Sequence, residues 1–398
     1  MSLSRRGLLA GAAAVGVGGL AGAGLAAARD EGPIRRSFAG PVQVGVAEPA
    51  APFGLLAALD VVAPEREDLA RTLRELSREV ERLVDGRPPE SRPARFPPAD
   101  TGVVTADARP RVSLAAGASL FDERFGLAGR RPRQLVEMPF LANDRLDPAR
   151  SHGDLLLSVD GDTPDACQHA LRQAMRATRG GLVLRWVLDG YNRADAVHTP
   201  GRTENRNLLG FKDGTANLDP TDPAVLERFV LVRDDGLEPT WTTGGSYVAV
   251  RVLRMLVESW DRASLAEQEQ ILGRRKTSGA PLDGRQEVDQ PRFAADPEGR
   301  LTPLDAHIRL ARPRTSETEH QRLLRRGFSY TRGRDAAGLL DQGLAFVSLS
   351  RSLQTFLAIS ERLQGEPLEE YVVPEGGGFF FLLPGVPRGG WLGQQLLT

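Results

Sequence analysis

Apolar residues recur along this chain with two different periods, and the change from one to the other marks out its elements. Between Glu65 and Val84, the residues Leu69, Leu73, Leu76, Val80 and Leu83 stand three or four apart, which predicts an amphipathic helix over 65–84. Short apolar runs predict strands at 42–46, 53–62, 112–114, 154–159 and 182–188, with a second helix at 164–178 and a turn or short helix at 121–125. The proline-rich stretch 87–100 reads as a loop. The rhythm then repeats: a Val-rich strand at 246–255, a helix around 256–272, and a long Gly-, Pro- and Asp-rich connection at 273–305. A strand at 343–349, a helix at 352–363 and a closing strand at 379–383, behind three glycines, complete it. Two successive strand–helix–strand units with antiparallel return predict an α+β fold of duplicated ferredoxin-like units, with helices packed over two antiparallel sheets. The halves are expected at 29–205 and 206–398, the second carrying the candidate chemistry.

The first 28 residues do not belong to that pattern. Arg5 and Arg6 precede a Gly- and Ala-rich apolar run from Leu8 to Ala27, which ends in Ala26-Ala27-Ala28. A charged start, a weakly apolar middle and a small-residue cleavage site make a targeting segment. The paired arginines and the glycine-diluted run predict a cleaved twin-arginine export signal rather than a spanning helix, leaving no stable membrane anchor. The mature chain is then periplasmic or extracellular, handled by the twin-arginine export machinery. That route carries folded proteins, often with a cofactor already inserted.

Composition narrows the function classes. With 41% hydrophobic and 26% charged residues in 398, the chain falls among soluble globular proteins. A formal net charge of -1 gives no general attraction to nucleic acid or to an anionic bilayer. Cys167 is the only cysteine, which excludes an intrachain disulfide, a Cys-x-x-Cys redox pair, a thiolate zinc cluster and a c-type haem attachment. Any haem must therefore be held without thioether links.

Three segments carry candidate chemistry. In Asn207–Asn217, Gly210 and Gly214 flank Asp213, letting the backbone turn sharply and present a carboxylate, although an Asp-Gly turn is ordinarily only a turn. In Pro303–Arg314 stands His307, one of five histidines with His152, His169, His198 and His320. One imidazole suffices to ligate haem iron from one side, while a lone histidine in an alternating apolar-polar strand is more often structural. In Leu323–Tyr330, which starts a further strand or turn, Arg325 and Arg326 are adjacent. Such pairs commonly form a solvated face, but one arginine buried beside a carboxylate would keep that carboxylate ionised.

Taken jointly and in this order, GFKDGTAN around Asp213, HIRLARPR from His307 and LLRRGFSYTRG around Arg325 resemble the dye-decolourising peroxidase family. The resemblance runs from the export signal to the terminal GGGFFFLLPG and is nearest the exported subgroup that includes the deferrochelatase/peroxidases. Arg312 departs from the pattern, standing where HIRLANPR would have asparagine. The resemblance implies one non-covalent haem b per chain, with His307 as proximal ligand. It also implies a haem lining of Gly214, Thr215 and Ala216 on one side and Arg312, Pro313 and Arg314 on the other, the arginines pairing with propionates. On the opposite face, next to the haem, Asp213 is implied as acid/base toward hydrogen peroxide and Arg325 as charge stabiliser, with small organic donors such as dyes and phenols oxidised one electron at a time. Free haem and a second copy of the chain are further partners the resemblance allows.

A carboxylate is expected on the second nitrogen of His307, with Asp341, Glu369 and Glu370 as candidates. Trp186, Trp241, Trp260, Trp391, Tyr191, Tyr247, Tyr330 and Tyr371 are candidate electron relays, each more simply read as packing. Two other roles share these motifs: haem-iron recovery, and a non-catalytic exported haem carrier that would have no need of Asp213 and Arg325.

Overall fold

The computed structural model describes residues 36–87, 109–192 and 205–398; the export segment and most of the proline-rich stretch lie outside the described residues. The first half contributes β1 (Phe53–Val61), α1 (Arg66–Val84), β2 (Arg111–Gly117), β3 (Leu155–Gly161), α2 (Pro164–Ala177) and β4 (Leu182–Tyr191). The second contributes the single turns α3 (Pro223–Val225) and α4 (Val257–Trp260) around β5 (Ser246–Met255), then α5 (Leu265–Leu272), α6 (His307–Ala311), β6 (Leu324–Arg325) and β7 (Phe328–Arg334). It closes with β8 (Leu340–Ser350), α7 (Leu353–Leu363), β9 (Val372–Leu382) and α8 (Gln394–Leu397). Strand order is β2-β3-β1-β4 in the first half and β7-β8-β5-β9 in the second. The two orders are the same when each half is numbered from its own first long strand. This is the duplicated ferredoxin-like α+β arrangement.

The two sheets are not separate, as the sequence had suggested. β2 pairs with β9 and β4 with β7, so eight antiparallel strands close into a ring, with β6 added on β8. Closure removes the exposed edges that would otherwise template association. Period-two alternation divides the core. Leu56, Val248, Val250, Val252, Phe380 and Leu382 belong to one buried cluster with Trp186, Phe328 and Tyr330, which fills the ring. Their sequence neighbours Leu55, Ala57, Leu59, Tyr247, Phe379 and Phe381 belong to a second cluster beneath the helices. Both faces are buried, which is why these strands read as near-continuous apolar runs. The leucines and valines of α1 all lie in the second cluster, fully buried, each worth roughly 2 kcal/mol in apolar burial.

Among the described residues the ring joins least firmly at β4 and β7, where Tyr191 opposite Ser329 is the single registered pair. The strands approach closely there because residue 190 is glycine: a Cβ would lie 2.0 Å from the Ser329 carbonyl oxygen.

Three sequence expectations are corrected. Residues 42–46 form turns rather than a strand. Gln43 instead uses its side-chain amide as a strand would use its backbone, donating to the carbonyls of Leu114 (2.8 Å) and Leu383 (2.7 Å) and accepting from the Leu114 N–H (2.8 Å). The helix around 256–272 breaks into α4 and α5, because the Ser264 hydroxyl caps a new start by accepting from the Glu267 N–H. His307 lies in a short helix, not a strand; five residues before Pro313 are too few for alternation to separate the two periods.

Asp154 anchors the start of β3 to its surroundings. Its buried carboxylate accepts from the Val61 N–H (2.9 Å), the Ser119 hydroxyl (2.7 Å) and two nitrogens of Arg124 (2.9 and 3.1 Å). Burial raises its pKa, but the hydrogen bonds from Arg124, Ser119 and Val61 outweigh this and hold it below the ordinary value of 3.8. A carboxylate with a depressed folded pKa stabilises above its unfolded pKa, and the contribution is lost as pH falls through the folded one. Asp154→Ala is expected to cost about 2 kcal/mol at pH 7, since it leaves the buried Val61 N–H without its acceptor, while the part-exposed Arg124 keeps Asp122. Urea unfolding of wild type and variant should show the gap narrowing below pH ~4.

Candidate active site

The Asp213 segment is held in place from several directions. Gly214 has φ 107°, a left-handed conformation that suits glycine, so the chain reverses directly after the aspartate. On either side, the Lys212 ammonium donates to Glu287 (2.7 Å) and the Thr215 hydroxyl donates to the same carboxylate (2.9 Å). Glu287 comes from the long connection before α6, a residue that sequence reasoning did not single out. Asn217 supplies a second clamp. Its amide donates to the Arg325 carbonyl and accepts from the Arg325 N–H, both at 2.8 Å, and so pairs with β6 as another strand would. The Arg325 guanidinium then donates to Asp213 Oδ1 at 2.8 Å. The loop and the strand are thus joined through two backbone-directed bonds and one ion pair, which fixes the separation of carboxylate and guanidinium.

His307 opens α6. Its Nδ1 lies 2.8 and 3.1 Å from the two oxygens of Glu366. This corrects the expected partners: Asp341 is engaged by Arg332 at 2.7 Å, and Glu369 and Glu370 lie just beyond Glu366 in the turn Pro367–Glu370. Glu366 precedes that turn, after a left-handed Gly365 (φ 77°), and its side chain is almost fully buried. A glutamate between glycine and proline at a helix exit was the available signal. Burial pushes the imidazole pKa down, yet the charge and hydrogen bond of Glu366 outweigh it and hold the ring above its ordinary value. Arg325 and Asp213 also act on this imidazole, so the three sequence candidates share one site. The ring keeps 32% of its side-chain surface accessible. Among the described residues nothing hydrogen-bonds Nε2.

The segment after α6 adds positive charge. Arg314 has φ 62°, unusual for a residue with a side chain. Burial, together with Arg312 and Arg274, pushes its pKa down to about 10. Arg312 reaches Glu319 at 3.0 Å, and Arg314 donates to Gln290. The Nε atoms of both arginines are buried without a partner among the described residues. Pro313 lies between them, half-buried. Gly214 and Thr215 are likewise half-buried, while Ala216 is exposed. Guanidinium groups crowded this way suit a bound anion.

Trp186, Trp241, Trp260, Tyr247 and Tyr330 are buried, and Tyr191 is exposed. The Trp260 ring packs edge-on against Tyr371 at 4.9 Å and its N–H donates to the Leu209 carbonyl, as packing residues do. The thiol of Cys167 is buried, which pushes its pKa up to about 12.

Two family models match the chain: Dyp-type peroxidase, N-terminal, over residues 43–192, and Dyp-type peroxidase, C-terminal, over residues 204–387. A relative from Shigella flexneri named Deferrochelatase is 45% identical over 369 residues, which is 91% of this chain and 88% of the relative. Among solved structures, a DyP-type peroxidase from Cellulomonas bogoriensis superposes with a TM-score of 0.82 at 34% identity, covering 92% of this chain and 99% of the other. The oxyferrous complex of DtpA from Streptomyces lividans gives 0.81 at 34% identity, with 92% and 98% covered.

Proposed function

The chain belongs to the Dyp-type peroxidase family and is a haem-dependent oxidoreductase, and from that premise we propose that it reduces hydrogen peroxide while oxidising small organic donors, dyes and phenols among them, in one-electron steps. The observation that carries this reading is the Asp213–Arg325 pair, clamped at 2.8 Å and within electrostatic reach of His307. The residues present fit a haem. His307 has a partly accessible ring whose Nε2 has no hydrogen bond among the described residues, and the crowded Arg312 and Arg314 have buried Nε groups that suit carboxylates. We assign one haem b per chain, which His307 would hold and Gly214, Thr215, Ala216, Arg312, Pro313, Arg314 and Arg325 would contact. Bound haem supplies a redox-active iron at which peroxide is reduced.

The chain's own groups do the proton work. Asp213, which accepts from Arg325 at 2.8 Å, takes a proton from peroxide and returns it to the oxygen that leaves as water. Arg325 stabilises the negative charge that grows on that oxygen. Glu366, accepting from the Nδ1–H of His307, makes Nε2 a stronger donor and fixes the ring's orientation. A non-catalytic carrier would have no use for the Asp213–Arg325 pair, which favours the enzyme. In this reading residues 1–28 are a twin-arginine export signal, residues 29–205 and 206–398 are the two halves, and the mature protein works in the periplasm or outside the cell.

Haem-loaded protein is expected to show a Soret band that changes on adding peroxide, and to bleach an anthraquinone dye only when peroxide is present. A Soret band without peroxide-dependent oxidation would overturn the assignment. The relatives named Deferrochelatase favour a second role, recovery of haem iron. Metal-free porphyrin fluorescence appearing on incubation with haem would establish it, and none would discard it.

A further inference from the structure

Of the adjacent arginines at 325 and 326, the site takes up only the first. Successive residues of an extended chain point to opposite faces. Leu324 joins the buried cluster that fills the ring, Arg325 turns outward to Asp213, and Arg326 turns back to the mouth of the ring, beside Leu56, Val248 and Leu382 of that cluster.

Both groups that receive the Arg326 side chain belong to the first half of the chain. The guanidinium donates to the Asp160 carboxylate at the end of β3 (2.7 Å) and to the Glu48 backbone carbonyl (2.6 Å), and only 9% of the side chain is exposed. Each acceptor is itself held. Asp160 is registered opposite Gly54 of β1 and Arg111 of β2. The Glu48 carboxylate accepts from Arg36 (2.9 Å) and Arg111 (2.7 Å). Burial pushes the Glu48 pKa up, yet the hydrogen bonds from Arg111 and Arg36 outweigh this and hold it below the ordinary value of 4.5. A planar guanidinium that donates to two fixed acceptors has a fixed direction.

Arg325 has few other ties to the first half. β6 is two residues long and pairs with β8, through Leu324–Leu349 and Arg325–Ser348. The Ser348 hydroxyl, next to Arg325 across the strands, is buried without a hydrogen-bond partner among the described residues, so it does not hold the guanidinium. The Asn217 clamp joins Arg325 to the Asp213 loop, but both lie in the second half. The neighbouring join between the halves, Tyr191 with Ser329, is a single pair three residues beyond Arg326.

We propose that Arg326 is the positioning residue for Arg325, and that through it the first half, which supplies neither Asp213 nor His307, sets where the Arg325 guanidinium stands. This rests on the peroxidase reading above, in which Arg325 acts on peroxide.

The test uses haem-loaded, full-chain protein. Arg326→Gln is expected to lower kcat/KM for hydrogen peroxide by roughly 10–100-fold, the scale of a displacement of about 1 Å in a reacting group, while the KM for the organic donor stays unchanged. Fluoride affinity of the ferric protein, which needs no turnover, is expected to fall in the same variant and in Arg325→Gln. Adding Arg326→Gln to Arg325→Gln should lower neither quantity further, because a residue that acts only through Arg325 then has nothing to act on. Arg326→Lys is expected to restore most of both. A cavity of about 40 Å³ beside Arg326, lined also by Ser113 and Ser158, has room for a water through which the shorter ammonium reaches Asp160. Should Arg326→Gln fail to fold, Asp160→Asn carries the same test with a smaller loss expected. Unchanged peroxide reactivity in these variants, full additivity with Arg325→Gln, or a crystal structure of Arg326→Gln with Arg325 still at Asp213 would overturn the proposal. Wild-type peroxide reactivity in Arg325→Gln would instead remove the peroxidase role of Arg325, while the crystal structure would still decide whether Arg326 places it.

Discussion

Changing Asp213 to asparagine is expected to lower kcat/KM for hydrogen peroxide by roughly 10²–10⁴ while the Soret band keeps its position and intensity. The substitution preserves shape, and an amide oxygen can still accept from Arg325, so the contact now made at 2.8 Å survives. The Asn217–Arg325 clamp and the Lys212–Glu287–Thr215 bridge lie outside the change, so the loop keeps its place. What is lost is the ability to take a proton and return it. Stopped-flow absorption after mixing with peroxide reads the step directly. A rate equal to wild type would remove Asp213 from the chemistry.

His307→Ala is expected to abolish stable haem binding, seen as loss of the Soret band in protein whose far-ultraviolet circular dichroism is unchanged. The variant removes the candidate ligand and also strands the nearly buried Glu366 carboxylate, a cost of about 3 kcal/mol that can impair folding by itself. Glu366→Gln separates the two effects. It keeps volume and a hydrogen bond to Nδ1 but removes the charge, and it is expected to weaken haem retention by about 10–100-fold in a folded protein. Haem transfer to an acceptor apoprotein measures this. Native retention in both variants would place the ligand elsewhere.

What the sequence revealed and what it concealed follow from the range of the interactions. α1 and β5 were legible because their apolar spacing alone decides which face is buried, and β5 begins and ends where the pattern does. The closed ring was not legible, because it depends on β2 meeting β9 and β4 meeting β7 across most of the chain, and no local pattern encodes such partners. The 42–46 segment misled because Gln43 performs a strand's hydrogen bonding with a side chain. At the candidate site, Asp213, His307 and Arg325 were singled out through motif resemblance, since an Asp-Gly turn or a lone histidine carries little meaning alone. The residues that position them were missed: Asn217 and Glu287 act through contacts that only the folded chain creates, and Glu366 sits 59 positions from its histidine.

The join between β4 and β7 gives this molecule a preferred place to breathe. A ring of strands unzips first where fewest rungs hold it, and local opening draws on the least stable part of a structure. Here that part is one rung wide among the described residues, and Arg325 stands three residues before the first residue of β7. Transient parting of the two halves would therefore be felt by the guanidinium beside Asp213 before it reached β5, whose long ladders with β8 and β9 make it the stave that holds the barrel longest.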